Sequence, residues 1–71
     1  MILCIKTSTS IKEFNSNSFL VTQNDDEIEI LENHEDIIYV IKNGIVKINN
    51  EEINIKDGIL QIVNNKASIL C

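Results

Sequence analysis

The run Ile37-Ile38-Tyr39-Val40-Ile41-Lys42-Asn43-Gly44-Ile45-Val46-Lys47-Ile48, followed after Asn49-Asn50 by Glu51-Glu52-Ile53-Asn54-Ile55-Lys56-Asp57-Gly58-Ile59-Leu60-Gln61-Ile62-Val63, decides the fold class. It is rich in β-branched residues, which favour the pleated, half-buried surface of a sheet. A helix across Asp36–Ile48 is the competing reading. Asn43-Gly44 interrupts it and the β-branched side chains crowd it. Ile53 and Ile55 flank Asn54 in strand alternation. Ile59, Gln61 and Val63 share one face and Leu60 and Ile62 the other, the pattern of a strand covered on both sides.

Working outward, the same texture fills the chain. The expected strands are Ile2–Lys6, Ile11–Phe14, Ser18–Thr22, Glu27–Ile30, Ile37–Ile41, Ile45–Ile48, Glu52–Ile55, Ile59–Val63 and Ala67–Leu70. Turn residues separate them, among them Asn24-Asp25-Asp26, Asn43-Gly44, Asn49-Asn50, Asp57-Gly58 and Asn64-Asn65. Asn-Gly and Asp-Gly tolerate the positive φ of tight hairpins, so both are read as turns. The expectation is all-β: a small flattened antiparallel β-sandwich of about nine short strands, one domain over residues 1–71.

Composition narrows the function classes. The 71 residues sum to a net charge of −5, with six basic and eleven acidic side chains. That balance argues against a nucleic-acid groove or a surface drawn to anionic lipid, both of which need Lys and Arg. No apolar run approaches the ~20 residues of a spanning helix, and Met1–Lys6 lacks the charge order of a signal peptide. Neither a nucleophile motif nor a Gly-rich phosphate loop is present, since Gly44 and Gly58 are the only glycines. Cys4 and Cys71 make no metal cluster. They are read as buried free thiols of a reducing compartment, though first and last strands could bring them close.

Two features remain. His34, the only histidine, reads as a loop residue at a strand boundary or as a contact residue. Asp25, Asp26, Glu27, Glu29, Glu32, Glu35 and Asp36 are seven of the eleven acids, with no Lys among them. This run is either a solvated surface or one side of an interface with a basic partner. It does not match a calcium loop and has no turn glycine.

Four segments resemble the N-terminal domain of the epsilon subunit of F-type ATP synthase. Asp26-Glu27-Ile28-Glu29-Ile30-Leu31-Glu32-Asn33-His34-Glu35-Asp36-Ile37 is similar to its Gly-Glu-(Phe/Leu)-Gly-Ile-Leu-Pro-Gly-His-Ala-Pro-Leu run. Lys42-Asn43-Gly44-Ile45-Val46-Lys47-Ile48 is similar to Lys-Pro-Gly-Val-Val-Arg-Ile. Lys56-Asp57-Gly58-Ile59-Leu60-Gln61-Ile62 and Asn65-Lys66-Ala67-Ser68-Ile69-Leu70 resemble the two closing strands. The prolines of the family loop are absent, replaced by Glu32 and Asp36.

The resemblance implies a non-catalytic rotor subunit of a proton-translocating synthase, with no cofactor and no metal. It implies a place in the central stalk, between the gamma subunit and the membrane c-ring. That puts it at the cytoplasmic face of the bacterial inner membrane, peripheral and without lipid insertion. Asp26, Glu27 and Glu29 would then meet basic c-ring loops. Ser8, in the first turn, and His34 would lie close together at the gamma contact. Fifteen Ile exceed what so small a core can bury, so an apolar outer face is expected to carry gamma. The inhibitory pair of C-terminal helices usual in the family is expected to be absent. The alternatives are a free-standing acidic β-sandwich adaptor and a small metal-binding β-barrel built on His34 and the acids.

Overall fold

The computed structural model describes all 71 residues and is built of strands, with no helix. Seven strands follow one another: β1 (Ile2–Lys6), β2 (Ile11–Asn15), β3 (Ser18–Gln23), β4 (Asp26–Leu31), β5 (Ile37–Ile48), β6 (Glu51–Val63) and β7 (Lys66–Leu70). They make one continuous sheet in the order β2-β1-β7-β6-β5-β3-β4. Neighbours are antiparallel except β1 and β7, which run parallel, Ile2 opposite Lys66 and Lys6 opposite Leu70.

The strand count is seven rather than nine because two expected breaks are not turns. Ile37–Ile41 and Ile45–Ile48 fuse into β5, and Glu52–Ile55 and Ile59–Val63 fuse into β6. β5 and β6 keep one unshifted register from Ile37 opposite Ile62 to Ile48 opposite Glu51, interrupted only at Lys42 and Asp57. Asn43-Gly44 and Asp57-Gly58 therefore lie inside paired strands.

What happens at those positions is a corner. In β5 the inward residues are Ile37, Tyr39 and Ile41 before it and Gly44, Val46 and Ile48 after it, so the parity changes from odd to even. In β6 the same switch separates Ile53 and Ile55 from Gly58, Leu60 and Ile62. Two successive exposed residues, Lys42-Asn43 and Lys56-Asp57, absorb each switch. Lys42 and Asp57 stand opposite each other but drop out of the ladder, between Ile41–Gly58 and Asn43–Lys56. Asp57 takes a positive φ of 54°. Strands that bend in this way pass from one layer of a sandwich to the other.

The glycines serve the corner by lacking a side chain. Neither has a positive φ. A Cβ on Gly44 would lie 2.7 Å from the Thr22 carbonyl oxygen and 2.9 Å from Ile41 Cγ2. A Cβ on Gly58 would lie 2.6 Å from Ile55 Cγ2. Both point inward, where the two halves of each strand close on themselves.

The corner sorts the sheet into two layers. Layer one holds β2, β1, β7, the second half of β6 and the first half of β5. Layer two holds the other halves of β5 and β6 with β3 and β4. One core of fourteen buried apolar residues joins them, with Leu3, Ile5, Leu60, Ile62 and Ile69 from layer one and Val21, Ile30, Val46 and Ile55 from layer two. No polar or charged side chain is buried. Tight turns close the true hairpins. Asn49 and Asn50 have φ of 50° and 65°, and Asn64 and Asn65 have 51° and 62°, the two left-handed residues of a type I′ turn. Asn is among the few side-chain-bearing residues that tolerate that region.

Polar ties cross between the layers at their rims. Lys12 Nζ pairs with Glu51 Oε1 at 2.9 Å, and Asn49 Nδ2 donates to the Asn15 carbonyl at 3.0 Å. The N-terminal ammonium meets Glu32 Oε1 at 3.2 Å. Asn33 N–H donates to Asn65 Oδ1 at 2.6 Å.

Candidate docking faces

Pleating sends alternate residues of every strand outward. On layer one the outward residues line up across five strands in three rows. The first row reads Val40, Ile59, Leu70, Lys6, Ile11. The second reads Ile38, Gln61, Ser68, Cys4, Glu13. The third reads Val63, Lys66, Ile2, Asn15. Eight large apolar residues of the chain are exposed, and seven lie on this face: Ile2, Ile11, Ile38, Val40, Ile59, Val63 and Leu70. Ile38 is 72% exposed and Val40 55%. The short side chains of Cys4 and Ser68 leave a shallow hollow in the middle, rimmed by Ile2, Val63 and Gln61.

The outer face of layer two has a different chemistry. Leu20 lies between Glu29 on β4 and Lys47 on β5. Thr22 lies between Glu27 and Ile45. Lys47 sits opposite Glu52, and their charges approach to 3.8 Å. The one exposed large apolar residue here is Leu31, at the end of edge strand β4.

The structure divides the acidic run. Glu27 and Glu29 point outward together, alternating with inward Ile28 and Ile30. Asp26 does not join them. It pairs with Gln23, on the side of the strand that Val21 and Ile28 share. Asp25 is in the turn. Glu32 is taken by the N-terminal ammonium, and Asp36 Oδ1 accepts the Asn64 N–H at 3.0 Å. Seven acids in sequence thus become a pair on one face and several separate rim residues.

Ser8 and His34 are not neighbours, contrary to expectation. Ser8 is exposed in the loop that follows β1, at the Lys6–Leu70 end. His34 is half-buried in the loop before β5, next to Asn33, which bonds to Asn65 at the other end of β7. The length of β1, roughly 15 Å at ~3.3 Å per residue, separates the two ends. The His34 ring Nδ1 lies 2.8 Å from the Glu35 carbonyl oxygen.

The cysteines also depart from expectation. Cys4 is half-buried on the outer face of layer one and Cys71 is exposed, so neither is a core thiol. Cys4 stands opposite Ser68, three places short of Cys71 on the parallel ladder. That is about 10 Å along the strands, beyond the Cα separation a disulfide spans. No grouping of three His, Cys, Asp or Glu side chains comes together to hold a metal ion.

Sequence reasoning missed one residue that matters to this arrangement. Gln23, at the end of β3, reaches the corner of β5 with its side-chain amide. A polar residue next to a hairpin turn gives no sequence signal for that.

Five short strands and two long ones folded into two layers, with one largely apolar outer face and one acidic pair on the other, define a small β-sandwich domain. The chain matches the family described as ATP synthase, Delta/Epsilon chain, beta-sandwich domain, over residues 5–71, and it belongs to that family. It is accordingly a structural subunit chain of ATP synthase, a complex of partner subunits. A search of curated proteins finds no match to it.

Proposed function

We propose that this domain is a central-stalk component of a proton-translocating ATP synthase, where it couples rotation of the gamma subunit to the c-ring without catalysing a reaction itself. One observation carries the reading: seven of the eight exposed large apolar side chains gather on the outer face of layer one. A gathering of exposed aliphatic side chains on one face, here with polar residues between them, is characteristic of an interaction surface. Gamma is the partner proposed for it. A contact that spans the whole face reaches Ser8 at one end and His34 at the other, so both keep a place at the gamma interface without touching each other.

The c-ring is proposed for the opposite side. Glu27 and Glu29 present two carboxylates to its basic loops, with Asp26 at the strand end nearby. Charges in such a contact steer and orient more than they hold. The site of action is the cytoplasmic face of the bacterial inner membrane, reached through the complex rather than by lipid insertion. Docking also supports a small domain, because a partner that binds only the folded state stabilises it by mass action.

The test is a pulldown of the cognate gamma subunit with the wild-type chain and with Ile38→Glu/Ile59→Glu. Wild type is expected to recover a complex at micromolar concentration, and the variant is not. Failure of wild type to recover gamma overturns the reading.

A further inference from the structure

The corner of β5 lies where the ladder to β3 ends, at Gln23 opposite Gly44. Beyond that point β5 has β6 on one side and no strand on the other. The amide of Gln23 fills the gap. Its Oε1 accepts from the Lys42 N–H, and from the Asn43 N–H at 3.3 Å. Its Nε2 donates to the Val40 carbonyl at 3.1 Å and contacts Tyr39 Oη at 3.3 Å. A primary amide offers an acceptor and donors, as a peptide unit does. Gln23 thus continues β3 past its own end, with its side chain standing in for the next peptide group.

The position of this substitute is what gives it a role. Lys42 is the residue at which β5 drops out of its pairing with β6. Here the chain changes layer, Lys42 leaves the ladder while Asn43 stays opposite Lys56, and the N–H groups of both residues turn to Gln23 Oε1. Backbone groups without partners favour opening or rearrangement of the segment. The outer faces of the two layers are carried by opposite halves of the same two strands, so a change of bend here changes the angle between the faces.

We propose that Gln23 is a positioning residue that braces the corner and holds the two docking faces at a fixed angle. The brace is a property of the isolated chain. Its part in coupling rests on the function proposed above.

The test is residue-resolved amide hydrogen exchange by NMR on the 71-residue chain, comparing wild type with Gln23→Leu and Gln23→Glu. Leu keeps the bulk and loses both polar atoms; Glu keeps the acceptor and loses the donor. In Gln23→Leu the Lys42 and Asn43 amides are expected to exchange about 10- to 100-fold faster, while those of Val46 and Leu60 are unchanged. In Gln23→Glu the Lys42 and Asn43 amides should stay protected. Unchanged protection of those two amides in Gln23→Leu overturns the brace, as does equal acceleration at Val46 and Leu60. In the assembled synthase, Gln23→Leu should lower proton pumping per ATP hydrolysed while the subunit remains bound. Faster exchange with normal pumping would overturn the coupling role. A wild-type chain that does not join the synthase would overturn the proposed function and leave the exchange result standing.

Discussion

The two outer faces of this sandwich are built on the same pair of long strands and could hardly differ more. In β6 the outward residues of layer one include Ile59 and Val63, and those of layer two are Glu52 and Asn54. In β5 they are Ile38 and Val40 on layer one, and Ile45 and Lys47 on layer two. The inward sides are alike, both aliphatic and both part of one core. The fold needs the inward sides to be apolar, and it makes no such demand on the outward ones. Layer two, where Glu27, Glu29, Lys47, Glu52 and Asn54 stand among Leu20, Ile45 and Leu31, shows that a largely polar outer face is compatible with this sheet. The exposed aliphatic residues of layer one are therefore not a requirement of the fold.

That contrast can be broken most severely at the layer one face. Ile38→Glu/Ile59→Glu should weaken gamma binding by about 3 kcal/mol or more, since apolar anchors carry much of the energy of an interface. The melting temperature of the free domain should move much less, because Ile38 is mostly exposed and Ile59 about half exposed. Titration calorimetry and a thermal melt read the two effects separately. A variant that binds gamma like wild type would mean that the apolar face is not the contact.

The corner between the faces comes next. Gly44→Ala places a methyl group 2.7 Å from the Thr22 carbonyl oxygen, where backbone must give way. Overpacking of this kind typically costs about 1–3 kcal/mol, which urea denaturation would show as a lower midpoint. If the glycine were instead a hairpin turn residue, Gly44→Asn would be tolerated; at this inward position it should be worse than Ala.

The layer two face should respond most weakly and with salt dependence. Glu27→Lys or Glu29→Lys alone should change coupling by ~0–1 kcal/mol, as exposed pairs do. The two together should lower proton pumping at low ionic strength and approach wild type in high salt. Asp26→Lys is expected to add little, because Asp26 leaves the strand on the other side. A double variant that pumps normally at low salt would make Glu27 and Glu29 a solvated surface only.

Much of the scaffold is legible in the residues. Strand positions, the Asn49-Asn50 and Asn64-Asn65 hairpins and the alternation of Glu27 and Glu29 with Ile28 and Ile30 all agree with the sequence reading. Ile59–Val63, with Gln61 as its one polar residue, reads as a strand covered on both sides; in the structure Leu60 and Ile62 enter the core while Ile59 and Val63 are exposed on the outer face. Asn43-Gly44 and Asp57-Gly58 misled because Asn-Gly is a hairpin signal only when the flanking strands pair with each other. Here each flank pairs with the other long strand, and the glycine is selected by lack of space rather than by φ. The proximity of Ser8 and His34 failed for a similar reason, since the parallel pairing of β1 with β7 sets their separation.

By itself the sequence determined what depends on near neighbours. Left-handed turn preference, β-branched stiffness and period-two alternation act over a few residues, so they can be read without coordinates. Only the tertiary structure decided where the sheet folds over, which outward residues share a face and which acids part company. Those outcomes depend on register between strands far apart in the chain, such as Lys6 beside Leu70, and on the room left inside the corner at Gly44 and Gly58. No local preference encodes either one, because each exists only when distant segments have packed.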